Sequence, residues 1–353
     1  MKIFGSRRPG AVFRHLKGGV SASDFATDLV HRTLARHGLA AAPAAAMPAG
    51  AAAPNIHTTP PRGGPGHPEG ARFAEDRFSC AEGERRYLTY VPATAPEGLR
   101  GLVLMLHGCT QTPEDFAAGT RMNALAETHR LVVVYPHQSR GENAQSCWNW
   151  FRRGDQRRDR GEPAILAGLA RSVAARHGIA DHAVFGAGLS AGGAMAAILG
   201  ETYPEVFSAI GVHSGLPVGS AKDVPSAFAA MSGNPMPRPP GKKARVARTI
   251  VLHGTADGTV HPGNGHEIVR QVLQHGPQVT VQAEDRGRTE GRSYARTVTT
   301  DPAAGVLAEH WEIDGLGHAW SGGSKAGSYT DPTGPDASAE MIRFFLDPGA
   351  PQA

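Results

Sequence analysis

Short apolar runs punctuate the chain from about its first third onward, each closed by glycine or polar residues. They are Leu102–Leu106, Leu131–Tyr135, Ala183–Ala187, Val206–Val212 and Thr249–His253, followed by the more mixed Ala308–Ile313. Runs of this length, rich in Val, Ile and Leu, read as strands buried on both faces. Longer stretches with helical character lie between and after them, at 163–177, 264–274 and 338–346. Strand alternating with helix predicts an α/β fold, with a mainly parallel sheet covered by helices on both faces. Arg86–Val91 predicts an antiparallel strand at the sheet edge, and the Pro-, Lys- and Arg-rich 233–248 an exposed loop.

The region before residue 73 follows another pattern. Phe25, Leu29, Leu34 and Leu39, spaced among Arg and His, predict an amphipathic helix within 1–40. Residues 41–72 are dominated by Ala, Pro and Gly and read as a flexible linker. The expected organisation is therefore an N-terminal segment (1–40), a linker (41–72), a main domain (73–347) and a tail (348–353). The N-terminal segment has positive charge but no apolar core of leader length, which favours a cytoplasmic location. It is free to contact a granule, a membrane surface or the main domain.

Gly188-Leu189-Ser190-Ala191-Gly192 sits between the run ending at Ala187 and the small, apolar Gly193–Leu199. Strand, sharp turn and helix are the context in which G-x-S-x-G forms a nucleophile elbow. Such a serine needs a histidine base and an acid to orient it, following in the order Ser, Asp, His in the α/β-hydrolase arrangement. Asp257 follows the Thr249–His253 run, and His318 lies in a glycine-flanked loop after Ile313. Asp285 and Asp314 are rival acids, and His107, His213, His253 and His261 also fall near expected strand ends. An oxyanion hole would use the N–H of Ala191 and that of Cys109, which follows Gly108 after the Leu102–Leu106 strand.

These segments together resemble the esterases of the polyhydroxybutyrate depolymerase family. The resemblance is carried by Leu106–Gln111, Arg121–Asn123, Val134–Pro136, Cys147–Phe151, Gly188–Met195, His253–Val260 and Gly317–Gly323, and covers residues 82 to 346. It implies an α/β-hydrolase fold, hydrolysis of carboxylic esters by Ser190, Asp257 and His318, and an oxyanion hole of Cys109 and Ala191. It implies a poly(3-hydroxybutyrate)-type polyester or its oligomers as substrate, with feruloyl or acetylxylan esters as the alternatives. An acyltransferase and a non-catalytic granule-binding protein on the same fold remain the readings from other classes.

Composition narrows the picture little further. A formal charge of +4 without a recognition motif gives no reason to expect nucleic acid. No apolar stretch has transmembrane length. No organic cofactor or metal is needed by this chemistry, and Cys80, Cys109 and Cys147 show no C-x-x-C spacing. A Cys109–Cys147 disulfide stands open against three free thiols, the latter favoured in a cytoplasmic protein. Trp148, Trp150 and Trp320 offer either a flat apolar platform for substrate or core packing. The arginines at 140, 152, 153, 157, 158 and 160 either flank the pocket or form a solvated face.

Overall fold

The computed structural model describes residues 67–238, 246–275, 280–289, 291–303 and 305–347. The expected N-terminal helix, nearly all of the linker and the C-terminal tail lie outside the described residues, as does the middle of the 233–248 loop.

In chain order the elements are β1 (Arg72–Cys80), β2 (Gly83–Val91), β3 (Gly101–Leu106), α1 (Pro113–Thr120), α2 (Met122–His129), β4 (Leu131–Pro136), α3 (Gly161–Arg176), β5 (Val184–Leu189), α4 (Ala191–Thr202), β6 (Ala209–His213), α5 (Val224–Met231), β7 (Arg248–Gly254), α6 (Gly263–His275), β8 (Val281–Thr289), β9 (Arg292–Asp301), β10 (Gly305–Ile313), β11 (Trp320–Ser321), β12 (Thr330–Asp331) and α7 (Ala337–Leu346). Ten strands form one sheet in the order β1-β2-β4-β3-β5-β6-β7-β10-β9-β8. The block from β4 through β10 is parallel, and antiparallel strands flank it on both sides.

Alternation along the central strands builds two cores, one on each face. Leu102, Leu104, Leu106, Val132 and Val134 point to one face, where they meet Leu166 and Leu169 of α3 and Met195 and Leu199 of α4. Val103, Met105, Leu131, Val133 and Tyr135 point to the other, where they meet Phe116 of α1, Met122 of α2, and Met341 and Phe344 of α7. β3, β4 and β5 are buried along their whole length, so apolar residues are required at every position. Local chemistry sets the helix starts: Thr112, Asp223 and Asp336 each accept an N–H from the first turn that follows them.

Two expectations need correction. The 86–91 strand is not at the sheet edge, because β1 pairs along its outer side in register from Arg72↔Val91 to Cys80↔Gly83. The 206–212 strand begins only at Ala209; Val206 and Phe207 are buried in the turn before it. The β8–β9 hairpin at the opposite edge had no apolar signature to reveal it. β8 is solvent-exposed and carries Glu284, Asp285, Arg286 and Arg288, charges that protect an edge strand from unwanted pairing.

Candidate active site

Ser190 stands between β5 and α4 with φ 57° and ψ −118°. Positive φ is strained for a residue with a Cβ, so the surroundings must hold it. The Ser190 N–H donates to the carbonyl of His213 at the end of β6 (2.9 Å), and the Ser190 carbonyl accepts the N–H of Ala194 (2.9 Å) as α4 begins. The flanking glycines are required by contact. A Cβ on Gly188 would press on the carbonyl of Gly192 and lie 2.7 Å from that of Leu106. A Cβ on Gly192 would lie 2.6 Å from the carbonyl of His107 and closer still to that of Leu106. The helix therefore starts directly against β3, with its first N–H groups at the carboxyl end of the sheet.

Asp257 and His318 meet at the same end. Asp257 Oδ2 lies 2.8 Å from His318 Nδ1, while its Oδ1 accepts the N–H groups of Thr259 (2.9 Å) and Val260 (2.8 Å). Their loops are joined through the backbone: Thr255 N–H donates to Ile313 (3.0 Å), and Ala256 N–H to Leu316 (3.1 Å). Burial pushes the Asp257 carboxyl up, but the His318 and His253 imidazoles outweigh it and hold the group well below the ordinary carboxylate range. The rival acids lie elsewhere. Asp285 is exposed on β8 and pairs with Arg296 at 3.3 Å, and the exposed Asp314 accepts from Thr255 Oγ1 at 3.4 Å.

The other histidines serve as supports. His213 is fully buried; its Nε2 accepts the Ser321 N–H (3.1 Å), its Nδ1 faces Ser214 Oγ (3.2 Å), and its ring stacks on Trp320. Burial pushes its pKa down to about 3, so the ring is neutral. His107 is also fully buried and accepts the Gln138 N–H at Nε2 (3.1 Å); burial pushes its pKa down to about 4. His253 Nε2 lies 2.9 Å from the Val260 carbonyl and 3.4 Å from Asp257 Oδ2, bracing the acid loop from below. His261 is exposed and accepts the Gly263 N–H at Nδ1 (3.1 Å).

The loop after β3 carries the expected oxyanion donors' other half. Among the described residues, no protein group takes the backbone N–H of Cys109 or of Ala191. Gln111 folds this loop: its Oε1 accepts the Gly108 N–H (2.9 Å), and its Nε2 donates to Asp115 (2.9 Å) and to the Ser328 carbonyl (3.0 Å). Cys109 is joined to Cys147 by a disulfide, and Cys80 is free. Of the two alternatives left open by the sequence, the structure has the disulfide.

The tryptophan platform is also corrected. Trp148, Trp150 and Trp320 are 0%, 6% and 1% exposed. Trp148 Nε1 donates to the His107 carbonyl (3.1 Å), Trp320 Nε1 donates to Ser338 Oγ (3.1 Å), and Trp150 packs edge-on against Phe151. Their faces are spent on the core and on the loops beneath the site, so none is left for a substrate. All six arginines of 137–160 are exposed, and Arg158 pairs with Glu205 at 2.7 Å. What organises that segment instead is the buried Glu162, whose carboxylate accepts from the Asn149 backbone (2.7 Å), Asn149 Nδ2 (2.7 Å) and Gln138 Nε2 (2.6 Å).

A serine strained at the head of a helix, with an acid–imidazole pair over the same end of a mainly parallel sheet, defines an α/β-hydrolase. Residues 85–287 match the family described as Esterase PHB depolymerase, and the chain belongs to that family. It is 32% identical over 284 residues to poly(3-hydroxyalkanoate) depolymerase C of Paucimonas lemoignei, covering 76% of this chain and 65% of that protein. It is 29% identical over 266 residues to poly(3-hydroxybutyrate) depolymerase of Ralstonia pickettii, covering 69% of this chain and 54% of that protein. The chain therefore spans somewhat under two thirds and about half of the lengths of these relatives. Among solved structures, an acetyl xylan esterase from Aspergillus awamori superimposes with a TM-score of 0.58 at 21% identity, over 74% of this chain and 93% of that one. No helix among the described residues is long and apolar enough to cross a membrane.

Proposed function

We propose that this chain is a serine carboxylic ester hydrolase acting on polyesters of 3-hydroxyalkanoates or their oligomers. One observation carries the reading: the 2.8 Å contact between Asp257 and His318, made by an acid held ionised at the carboxyl end of the sheet where Ser190 is strained into its turn. With Nδ1 of His318 committed to Asp257, Nε2 is the nitrogen left to take the serine proton. Ser190 Oγ attacks the ester carbonyl as His318 accepts its proton. The oxyanion is held by the free N–H groups of Cys109 and Ala191, a contribution of about 3–4 kcal/mol per donor in comparable sites. The alcohol leaves with the proton from His318, and water then attacks the acyl-serine by the same route. The polyester assignment is supported by the two depolymerase relatives; acetylxylan and feruloyl esters are the competing substrates.

The test is hydrolysis of 3-hydroxybutyrate oligomers, polymer films, acetylated xylan and methyl ferulate by the native chain and by Ser190→Ala. Serine-dependent release of 3-hydroxybutyrate is expected. Turnover of acetylated xylan or ferulate alone would overturn the substrate, and full activity in Ser190→Ala would overturn the nucleophile.

A further inference from the structure

Near the carboxyl ends of β7 and β10, beside the loops that carry Asp257 and His318, α6 and β10 bring together His266, His310 and Glu312. One ligand-capable atom from each lies within 4.8 Å of the others. The two β10 residues occupy alternate positions of the strand and so share a face. His266 Nε2 is 3.1 Å from Glu312 Oε1, and the His266 and His310 rings meet edge-on at 4.6 Å. His266 and Glu312 are open to solvent, whereas His310 is 6% exposed and forms the floor of the cluster. Among the described residues, His310 Nε2 has no hydrogen-bond partner, so this buried histidine keeps an unpaired ring nitrogen. Buried polar atoms rarely go unpaired, and each such exception asks for an explanation. The neighbouring residue on α6 is Gly265, where a Cβ would come within 2.9 Å of that nitrogen and 3.2 Å of His253 Nδ1, so glycine lets the helix pack closely over both rings.

We propose that His266, His310 and Glu312 form a binding site for a borderline divalent transition ion of the Zn2+ type, with water completing the coordination. Two imidazoles and a carboxylate are the donor set that suits zinc, and nitrogen donors disfavour calcium and magnesium. The 3.1 Å separation of the His266 and Glu312 donor atoms is close to the roughly 3.3 Å edge of a tetrahedron with bonds of about 2.0–2.1 Å. No C-x-x-C spacing marks such a site, because its ligands come from a helix and from alternate positions of a strand. Its role is structural. α6 follows the loop that carries Asp257, and β10 runs into the loop that carries His318, so an ion here ties together the two elements behind the acid–imidazole pair.

The experiment is calorimetric titration of the untagged, full-length, metal-stripped chain with Zn2+, alongside melting curves with and without the ion. His266→Ala and Glu312→Gln change solvent-exposed side chains and leave the packed His310 in place; His261→Ala serves as a control for adventitious surface binding. One tight Zn2+ per chain is expected, with a rise in Tm on saturation. Both variants should weaken that binding by about tenfold or more and lose the rise in Tm, while His261→Ala keeps both. Absence of a tight site in the native chain, or equal binding in His266→Ala and Glu312→Gln, would overturn the proposal. Because the readouts are binding and melting, they are independent of whether the chain hydrolyses a polyester.

Discussion

His213 Nε2 accepts the backbone N–H of Ser321 at 3.1 Å, and the carbonyl of the same histidine accepts the N–H of Ser190 at 2.9 Å. One buried residue thus fixes both the strained serine turn and the loop that continues from His318. His213→Ala removes a ring stacked on Trp320, leaves the Ser321 N–H unpaired, and opens a cavity beneath the site. The expected loss is about 2–4 kcal/mol of folding stability. Turnover should fall by about a hundredfold through misplacement of His318, with a smaller effect on KM. Urea unfolding and steady-state kinetics on a short soluble ester check both; unchanged kcat in a destabilised variant would reduce His213 to a packing residue.

The acid is set apart from its rivals by contact. Asp257 holds His318 at 2.8 Å, whereas Asp285 and Asp314 are engaged elsewhere on the surface. Asp257→Asn keeps the shape of the side chain but favours the wrong imidazole tautomer, and kcat should fall by roughly 10³–10⁴-fold. Asp285→Asn and Asp314→Asn should remain near native activity. A large loss in either of those two, with Asp257→Asn active, would reverse the assignment.

Much of this arrangement was legible in the chain, for definite physical reasons. β3, β4 and β5 are buried on both faces, so every position had to be apolar, and the run of residues announces the strand. The Ser190 turn requires small residues on both sides, so its glycines are written into the motif. β1 and the β8–β9 hairpin lie at the sheet edges, where one face and one rim are wet and polar residues are tolerated; they leave no periodic trace. The tryptophans failed as a platform for a related reason. Their proximity in sequence to the site loops is real, but it does not say which way a ring points, and Trp148 and Trp320 point inward against His107 and His213. Gln111, Gln138 and Glu162 act through side-chain hydrogen bonds that tie loop to loop, for which a linear sequence has no signal.

Gly192 gives a sharp test of the elbow. A Cβ there would run into the main-chain carbonyls of Leu106 and His107, which belong to the central strand β3 and to the loop that holds Cys109. Neither can give way without moving the loop that follows β3. Gly192→Ala is expected to cost about 2–4 kcal/mol of stability and to abolish measurable esterase activity. Gly154→Ala, at a position with nothing within 4 Å, should do neither. Native-like melting and turnover in Gly192→Ala would mean that the helix does not pack against β3 as described.

The buried histidines set a pH dependence. Burial pushes His107 down to about 4 and His213 to about 3, against an unfolded value of about 6.5. Both stay neutral when folded and take up a proton on unfolding between those limits. Their contribution to stability is therefore complete above about pH 6.5 and is lost as pH falls towards 4 and then 3, at about 1.4 kcal/mol per pH unit for each group. Denaturant midpoints should drop between pH 6.5 and 4.5. In His107→Gln, which retains a donor and an acceptor for Gly108 and Gln138, the decline should be shallower by about one proton's slope. Identical slopes would mean that His107 is not buried in its neutral form.

The Cys109–Cys147 disulfide closes a 38-residue separation between the loop after β3 and the segment that carries Trp148. Constraining an unfolded loop of that length is worth about 4 kcal/mol in the chain-entropy model. The folded state adds a second reason for the bond to matter, because the N–H assigned to the oxyanion belongs to Cys109 itself. Gln111 also holds that loop through Gly108 and Ser328, so reduction should loosen the donor without removing it. The paired variant Cys109→Ser/Cys147→Ser should therefore unfold at markedly lower urea concentration yet keep a reduced kcat, by about tenfold, at temperatures where it is folded. The native chain treated with a thiol reductant should reproduce both effects, and reoxidation should reverse them. A variant that loses stability with no change in kcat would confine the bond to the unfolded-state effect and leave Gln111 as the sole determinant of the donor's position.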